Sequence, residues 1–371
     1  MTDRLPWLRL SRTENVGPVT FRQLLARYET PEKAIEALPE LAARGGLKRK
    51  LTVPALKSIE DEIRALEKRG AQILTWRDDS YPKLLAQTPD APPVLLVEGH
   101  AHLLNKQPLV AMVGARNASL NGRRYAEKLA RELGEAGIIV VSGLAAGIDA
   151  AAHQGALATG TIGVIAGGFD HVYPPENAGL YDKLRAQGTI TTEMPLGTPI
   201  KPQLFPRRNR IVSGLCRGVI VVEAALQSGS LITARLAGEQ GREVMAVPGS
   251  PMDPRAAGTN RLIKDGATLI ESARDVVNLL NQQRLEESEL PIFAPAASYK
   301  VDENQVDRAR AALLDGLAPT PTPVDELIRL CDFPAPIVWA ALLELELAGR
   351  ILRLPGNQVA LLLEARTANA E

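Results

Sequence analysis

From Pro108 onwards, short β-branched runs that end in glycine, serine or glutamate alternate with helical stretches. This alternation is typical of a parallel sheet whose strands are joined by helices. It predicts strands at residues 109–113, 138–142, 161–166, 189–193, 218–223 and 243–247, with a short one at 268–270. The runs are almost entirely apolar, which indicates that helices cover both faces of the sheet. The sequence therefore predicts an α/β core, a Rossmann-like doubly wound parallel sheet.

The segments on either side of this core differ from it, and the 371-residue length allows two to three domains. Residues 1–78 are predicted to form a small helical domain of SAM or helix-hairpin-helix-like type, ahead of a core at 79–283. Charge, two prolines and small residues predict a linker at 284–300. A winged-helix domain is predicted at 301–366.

The winged helix is predicted from three helices and a terminal hairpin. The helices fall at about 303–316, from Thr322 to Leu330, and at about 335–348, with Thr322 as cap and Pro323 as first residue of the second. The third helix carries Glu344 and Glu346 but no lysine or arginine. Because a groove-reading helix needs donors to phosphates and base edges, duplex recognition is disfavoured. We expect a protein-interaction or regulatory module.

A Gly-Pro turn lies in the N-terminal helical region. The segment Asn15-Val16-Gly17-Pro18 stands just before a helix, with Arg12, Arg22 and Arg27 nearby. A helix-hairpin-helix uses such a turn to offer amides to phosphate. A plain helical turn is the alternative, and the sequence leaves both open.

Charge and cysteine content say little about partners. Lysine plus arginine and aspartate plus glutamate each number 43, so any nucleic-acid signal must be local. Cys216 and Cys331 form no CxxC motif, which fits a reducing compartment. No apolar run has the length of a signal peptide or membrane span. We expect a cytoplasmic protein without a membrane partner.

In an open parallel sheet, ligands bind beyond the carboxyl ends of the strands. The loop after the first strand holds Gly114, Arg116, Asn117 and Ser119. Ser119 or Asn117 can cap the helix that follows, and free amides with the Arg116 guanidinium predict a phosphate site. A second anion-binding helix start is predicted at Ser228-Gly229-Ser230. Two such sites in one crevice indicate a ligand with several phosphates.

The strongest signal is a basic segment between the fourth and fifth predicted strands. Five basic residues and no acidic one lie between Met194 and Val222. Phosphates bind such segments, and a neighbouring aromatic ring offers a surface on which a base stacks. A single strand of nucleic acid is the predicted ligand. The residues assigned to this segment are Lys201, Phe205, Arg207, Arg208, Asn209 and Arg210.

The loop after the second strand is glycine-rich and carries a serine, an aspartate and a histidine. These residues suggest a catalytic triad, but there is no GxSxG elbow and no assignable oxyanion donor. We therefore assign no catalytic residue and expect these side chains to shape the loop; no further ligand stands at metal spacing. The loop-structuring residues are Ser142, Gly143, Gly147, Asp149 and His153, together with Glu223 at the end of the fifth strand.

Two common nucleotide-binding motifs are missing. The chain has no GxxxxGK[ST], which excludes a P-loop ATPase. GARNAS, residues 114–119, stands where GxGxxG would follow the first strand, which disfavours a nicotinamide dehydrogenase. No cofactor is predicted.

Together these motifs resemble the DNA-processing protein A family (DprA, also called Smf). The matching segments occur in family order between about residues 80 and 272: Tyr81-Pro82, 113–116 with Ser119, 142–149 with His153, Tyr173-Pro174 before Asn177, 205–210, Glu223, 228–231 and 247–249. Cys216 is a departure, since the family more often has serine there.

The resemblance implies a core that binds single-stranded DNA and dimerises through its Rossmann-like domain. It also implies that the protein loads the recombinase RecA during natural transformation of competent cells. It implies a DNA contact at Arg116 and a basic-aromatic patch at Lys201, Phe205 and 207–210. The alternative is a nucleotide-processing enzyme, because phosphoribohydrolases have similar cores. Their Pro-Gly-Gly-x-Gly-Thr loop is missing and Ser228-Gly-Ser-Leu231 replaces it, which favours the binding protein.

Overall fold

The computed structural model describes residues 3–287, 302–354 and 356–362. The helices are α1 (Leu5–Ser11), α2 (Pro18–Tyr28), α3 (Pro31–Arg44), α4 (Leu56–Lys68), α5 (Lys83–Ala86), α6 (Leu120–Glu135), α7 (Ile148–Ala156), α8 (Ala178–Gln187), α9 (Leu204–Gly214), α10 (Gly229–Glu239), α11 (Ala257–Lys264), α12 (Ala273–Glu287), α13 (Glu303–Gly316), α14 (Val324–Cys331) and α15 (Ala335–Leu347). Single 3₁₀ turns lie at Ala101–Asn105, Pro175–Asn177 and Pro254–Ala256. The predicted linker lies largely outside the described residues.

The strands form a large sheet and a small one. They are β1 (Gln72–Thr75), β2 (Val94–Gly99), β3 (Leu109–Val113), β4 (Ile139–Ser142), β5 (Thr161–Val164), β6 (Thr189–Thr192), β7 (Gly218–Val221), β8 (Glu243–Ala246), β9 (Thr268–Leu269), β10 (Thr322–Pro323), β11 (Ile351–Leu354) and β12 (Gln358–Leu361). The large sheet has nine strands in the order β1-β2-β6-β5-β4-β3-β7-β8-β9. All seven predicted core strands are confirmed.

Two strands of the large sheet were not predicted. β1 and β2 pair antiparallel with each other, and β2 pairs antiparallel with β6, so they extend one edge of an otherwise parallel sheet. An antiparallel edge strand on a parallel sheet is common in this class of fold. Neither strand belongs to the β-helix-β alternation from which the others were predicted.

Each face of the sheet has its own apolar core, because successive side chains of a strand point to opposite faces. Leu109, Ala111 and Val113 of β3 belong to one core. Val110 and Met112 belong to the other. The predicted α/β core with helices on both sides is confirmed.

Strand order reverses between β3 and β7, the topological switch point. β3 pairs with β4 on one side and with β7 on the other, all parallel. Chain crossovers leave these two strands in opposite directions, which opens a crevice beyond their carboxyl ends. The loops that follow β3 and β7 carry the two predicted anion sites.

By its contacts, the chain divides into two compact units, residues 61–291 and residues 1–60 with 292–371. The second unit contains the predicted winged helix, α13, α14 and α15 with a three-stranded sheet β10-β12-β11. One detail of the prediction was wrong: Thr322 and Pro323 form β10, which pairs with β12, and Thr322 does not cap α14. Both residues therefore pair with β12 instead of starting α14.

Among the described residues, no helix has the length and apolar character needed to cross a membrane.

Candidate nucleic-acid interface

A cavity of about 590 Å³ lies at the switch point of the large sheet. It is surrounded by the loops after β3 and β7, by the glycine-rich loop after β4 and by the first turns of α9 and α10. Of the predicted site residues, it brings together Gly114, Arg116, Asn117, Asp149, Phe205, Arg208, Asn209, Ser228, Gly229 and Ser230. The site is therefore assembled from segments more than 100 residues apart in the sequence.

The loop after β3 is held by a carboxylate from the neighbouring strand end. Glu223 accepts hydrogen bonds from the Ser119 amide (2.9 Å) and the Ser119 hydroxyl (2.5 Å). Ser119 also caps α6 by accepting from the Gly122 amide at 2.8 Å. Ser119 is not among the cavity-lining residues, and its amide serves Glu223 instead of an incoming phosphate. The predicted helix cap at Ser119 is thus confirmed, and the DNA contact predicted at Ser119 stays a prediction.

The glycine-rich loop after β4 is fixed by backbone proximity and by Asp149. Gly147 has a positive φ of 80°, and a Cβ there would lie 2.2 Å from the Ala115 carbonyl oxygen. Only glycine fits such an approach without strain. The Asp149 carboxylate accepts from the amides of Gly143 (3.2 Å) and Ala145 (3.4 Å). Burial raises the pKa of Asp149, and the nearby charge of Arg208 opposes that shift.

Ser142 and His153 lie beneath this loop in the core. The Ser142 hydroxyl donates to the Met112 carbonyl at 2.6 Å, which ties β4 to β3. His153 Nδ1 lies 2.8 Å from the Thr161 hydroxyl, which itself donates to the Val140 carbonyl. Nδ1 therefore carries the proton, since the hydroxyl is already used as a donor. Burial lowers the pKa of His153 to about 3, which keeps the ring neutral.

Arg208 forms a buried cationic floor to the cavity. It is 6% exposed, and its Nη1 donates to the Val164 carbonyl at 3.2 Å. A Cβ on Gly143 would lie 1.4 Å from Nη1, so the guanidinium occupies space left by that glycine. Burial lowers the pKa of Arg208, and the charge of Asp149 opposes that shift. Arg208 Nε is buried without a hydrogen-bond partner among the described residues.

Phe205 lies in a cluster of cationic and aromatic groups. The Cζ atom of Arg116 is 4.5 Å from the ring centroid, and that of Arg208 is 5.9 Å away. The Tyr173 ring approaches at a centroid distance of 5.8 Å and a tilted angle of 53°. Cations over a ring face are attracted by its quadrupole. The cluster therefore places positive charge beside two aromatic rings, the combination that single-strand binding proteins use for phosphates and bases.

The start of α10 forms another wall of the cavity. Ser228 is its N-cap, and its hydroxyl lies 2.7 Å from that of Ser230. Asn209 of α9 donates from Nδ2 to the Gly229 carbonyl at 3.5 Å, which links the two walls. The positive end of a helix dipole faces the space between them, an arrangement that binds phosphate.

Three residues of the basic segment do not line the cavity. Lys201 and Arg207 are exposed outside its lining, and Arg207 lies 3.8 Å from a Glu193 oxygen. Arg210 points into the protein, where its Nη2 lies 2.5 Å from Glu193 and its Nη1 donates to the Asp90 carbonyl. The predicted DNA contact at Arg210 is therefore replaced by a structural ion pair. Glu193 stands one residue before the stretch that has no acidic residue.

Three polar residues that line the cavity were not predicted as site residues: Gln227, Thr233 and Arg255. Tyr173 was not predicted either; it lies outside the lining and contacts Phe205. Gln227 and Thr233 flank the Ser228–Ser230 motif, so the same motif could have predicted them as site residues. Arg255 lies in the loop after β8. The carbonyl oxygen of Arg255 accepts a hydrogen bond from the Ala224 amide at 2.7 Å. No sequence pattern marks that loop as neighbouring the β7 loop.

Fold and site together define a class: a Rossmann-like α/β protein with a cationic, aromatic-lined cleft at the switch point of its sheet. The sequence model of the DNA recombination-mediator protein A family matches residues 72–281. Models of the DprA-like N-terminal HHH domain and the DprA winged helix domain match residues 1–65 and 296–357. The chain belongs to the DprA/Smf family.

Curated relatives and solved structures support the same family membership. Protein Smf of Escherichia coli is 38% identical over 370 residues, which cover 97% of this chain and 96% of that protein. The crystal structure of DprA from Streptococcus pneumoniae superposes with a TM-score of 0.62 at 34% identity, covering 79% of this chain and 99% of that one. A Helicobacter pylori DprA structure, described for its single-stranded DNA binding mode, has a TM-score of 0.53 at 30% identity, covering 57% and 97%.

Proposed function

We propose that this protein binds single-stranded DNA in the cavity at the switch point and acts as a recombination mediator without catalytic activity. The observation that carries the proposal is the Phe205 cluster, in which the Cζ atoms of Arg116 and Arg208 lie 4.5 and 5.9 Å from the ring centroid. Stacking and phosphate contacts are the two components of sequence-tolerant single-strand binding. Family membership supports the same function.

The order of groups in the cavity suggests how a strand is held. Arg116 is exposed and Arg208 is buried, so a phosphate at the rim meets the first and a group that enters the cavity meets the second. The start of α10 offers a second phosphate position. Lys201 and Arg207, exposed outside the cavity, add charge to the path of the strand on either side.

Membership of the DprA/Smf family supports a wider role. We propose that the DNA-bound protein loads the recombinase RecA onto incoming single strands during natural transformation, in the cytoplasm, and that it works as a homodimer joined through the Rossmann-like domain. Light scattering of the full chain tests the dimer, and a strand-exchange assay with RecA tests loading. A monomer at micromolar concentration, or no stimulation of RecA, would remove the corresponding element while leaving DNA binding untouched.

A binding titration beside an activity assay tests the primary proposal against the alternative. Fluorescence anisotropy with oligo-dT is expected to show saturable binding, with weaker binding to a duplex of equal length. Incubation with nucleoside monophosphates is expected to release no free base. Base release without single-strand binding would instead support a phosphoribohydrolase-like enzyme.

A further inference from the structure

The two glutamates of α15 are buried within the unit formed by residues 1–60 and 292–371. Glu344 is 0% exposed and Glu346 is 8% exposed. In a winged helix whose third helix entered a DNA groove, these two side chains would be brought to the DNA. Their burial shows that this part of α15 already faces protein, and carboxylates are found buried only where they are paired.

Glu344 is paired by arginines from both ends of the chain. Arg44, at the end of α3, brings its Nε to 3.3 Å from one oxygen. Arg310 of α13 places its Nη2 at 2.7 Å from the other. Arg44 also contacts Glu303 at 3.1 Å. Gly45 permits the approach, because a Cβ there would lie 2.0 Å from the Glu344 carbonyl oxygen.

Glu346 contacts the N-terminal hairpin turn. The Thr20 hydroxyl donates to its Oε2, and a Cβ on Gly17 would lie 3.5 Å from its Oε1. Arg353 of β11 donates to the same carboxylate at 2.7 Å. Asn15, with φ of 60°, donates from Nδ2 to the Leu347 carbonyl at 3.1 Å. The end of α15 is thus covered by the turn that the sequence suggested as a phosphate-binding hairpin.

We propose that α15 is a docking surface for the chain's own N-terminal helices, and that this contact keeps both motifs of the unit from reading duplex DNA. The third helix of a winged helix reads a groove only when its face is free. The hairpin turn contacts phosphate only when its amide side is free. Here each motif covers the other, and a negatively charged side chain lies beside the turn.

The contact explains why the N-terminal helices and the winged helix stay together. Separating them would leave Glu344 without Arg44 and Glu346 without Thr20, and it would open the packing of α15 against α3. Breaking buried charge pairs is strongly unfavourable because the remaining charge is uncompensated. Deleting residues after about 290 therefore removes the winged helix and also uncovers the N-terminal helices, so such a deletion is a poor test of winged-helix function.

Amide hydrogen exchange on the full chain tests the proposal, with Glu346→Gln as variant and Glu326→Gln, an exposed glutamate of α14, as matched control. Residues 15–24 are expected to exchange about 10- to 100-fold faster in Glu346→Gln, the range that corresponds to loss of a hydrogen bond to a charged group. Glu326→Gln is expected to leave them unchanged. Unaltered exchange in β3 verifies that the core is folded.

A duplex oligonucleotide added to the wild-type chain gives a second result. Exchange in residues 335–347 is expected to be slow without DNA and unchanged with it. Equal exchange of residues 15–24 in the two variants, or new protection of residues 335–347 on adding duplex, would overturn the proposal.

A double-mutant cycle does not depend on DNA at all. Arg44→Met and Glu344→Gln, alone and combined, are expected to show a coupling of at least about twofold in the unfolding equilibrium of this unit, as contacting residues do. The exposed pair of changes Lys48→Met and Glu326→Gln is expected to be additive. Additivity of Arg44→Met with Glu344→Gln would show that the two halves are not coupled.

Discussion

The guanidinium of Arg116 lies over the ring of Phe205, with 4.5 Å between Cζ and the ring centroid. In the DNA-free protein this face of the ring is therefore covered by a cation. In the binding mode proposed above, a base that stacks on the same face would require Arg116 to move aside, toward the adjacent phosphate of the strand.

Phe205→Ala tests stacking. The change is expected to weaken oligo-dT binding by about 1–3 kcal/mol, because base–aromatic stacking is lost, with little change in the salt dependence. Phe205→Tyr is the control and is expected to retain most of the affinity. Equal affinities of wild type and Phe205→Ala in anisotropy titrations would make Phe205 a packing residue only.

Gly143→Ala tests the buried position of Arg208. The new Cβ would lie 1.4 Å from Nη1, so the guanidinium has to leave the cavity floor. We expect single-strand affinity to fall about tenfold, equivalent to about 1.4 kcal/mol. Gly179→Ala, where a Cβ meets nothing within 4 Å, is the matched control. Wild-type affinity in a folded Gly143→Ala protein would show that Arg208 does not contribute to binding from this position.

Arg210→Ala separates stability from DNA binding. Removing this arginine takes away the closest cation of Glu193, while Arg207 stays 3.8 Å away, so we expect a cost of about 1.5–3 kcal/mol of unfolding free energy, the range for a hydrogen bond to a charged group. The slope of log affinity against log salt is expected to stay as in wild type, because Arg210 faces Glu193 and Asp90. Chemical denaturation measures the first and salt titration the second. A folded variant with normal stability and a lower slope would return Arg210 to the DNA interface.

His153 is expected to make stability depend on pH. Its pKa is about 3 in the folded protein and about 6.5 in the unfolded chain. Between these values the unfolded state binds one more proton, so this contribution to stability falls as pH decreases from about 6.5 toward 3, by up to about 1.4 kcal/mol per pH unit. His153→Asn, which keeps a donor near Thr161, is expected to remove that slope between pH 6 and 4.5. The exposed His102→Asn is the control, and identical slopes in the two variants would contradict the assignment.

The sequence was sufficient for the core but not for the direction in which each side chain points. Apolar runs with terminal glycines identified β3 to β9, and the carboxyl-end rule located the cavity between Gly114 and Ser228. Arg208 and Arg210 are two residues apart on one helix, yet the first lines the cavity and the second pairs with Glu193. That choice depends on Gly143 and on the acidic partner, which come from other elements.

The same limit applies to α15. Its composition, two glutamates and no lysine or arginine, predicts that it does not read a groove, because exposed glutamates would repel DNA. The structure buries Glu344 against Arg310 of α13 and Arg44 of α3, and it buries Glu346 against Thr20 of α2 and Arg353 of β11. Burial of a charged residue depends on partners distant in sequence, which periodicity within one helix does not report.

The most direct test of DNA binding in the cavity is the salt dependence of oligo-dT affinity for wild type and Arg116→Ala. Each phosphate contact contributes about 0.7 to the slope of log affinity against log salt for single strands. Arg235→Ala, an exposed position on α10 outside the cavity lining, is the matched control. We predict a slope smaller by about 0.7 in Arg116→Ala and unchanged in Arg235→Ala. Equal slopes for wild type and Arg116→Ala would place the DNA elsewhere on the protein and contradict the account.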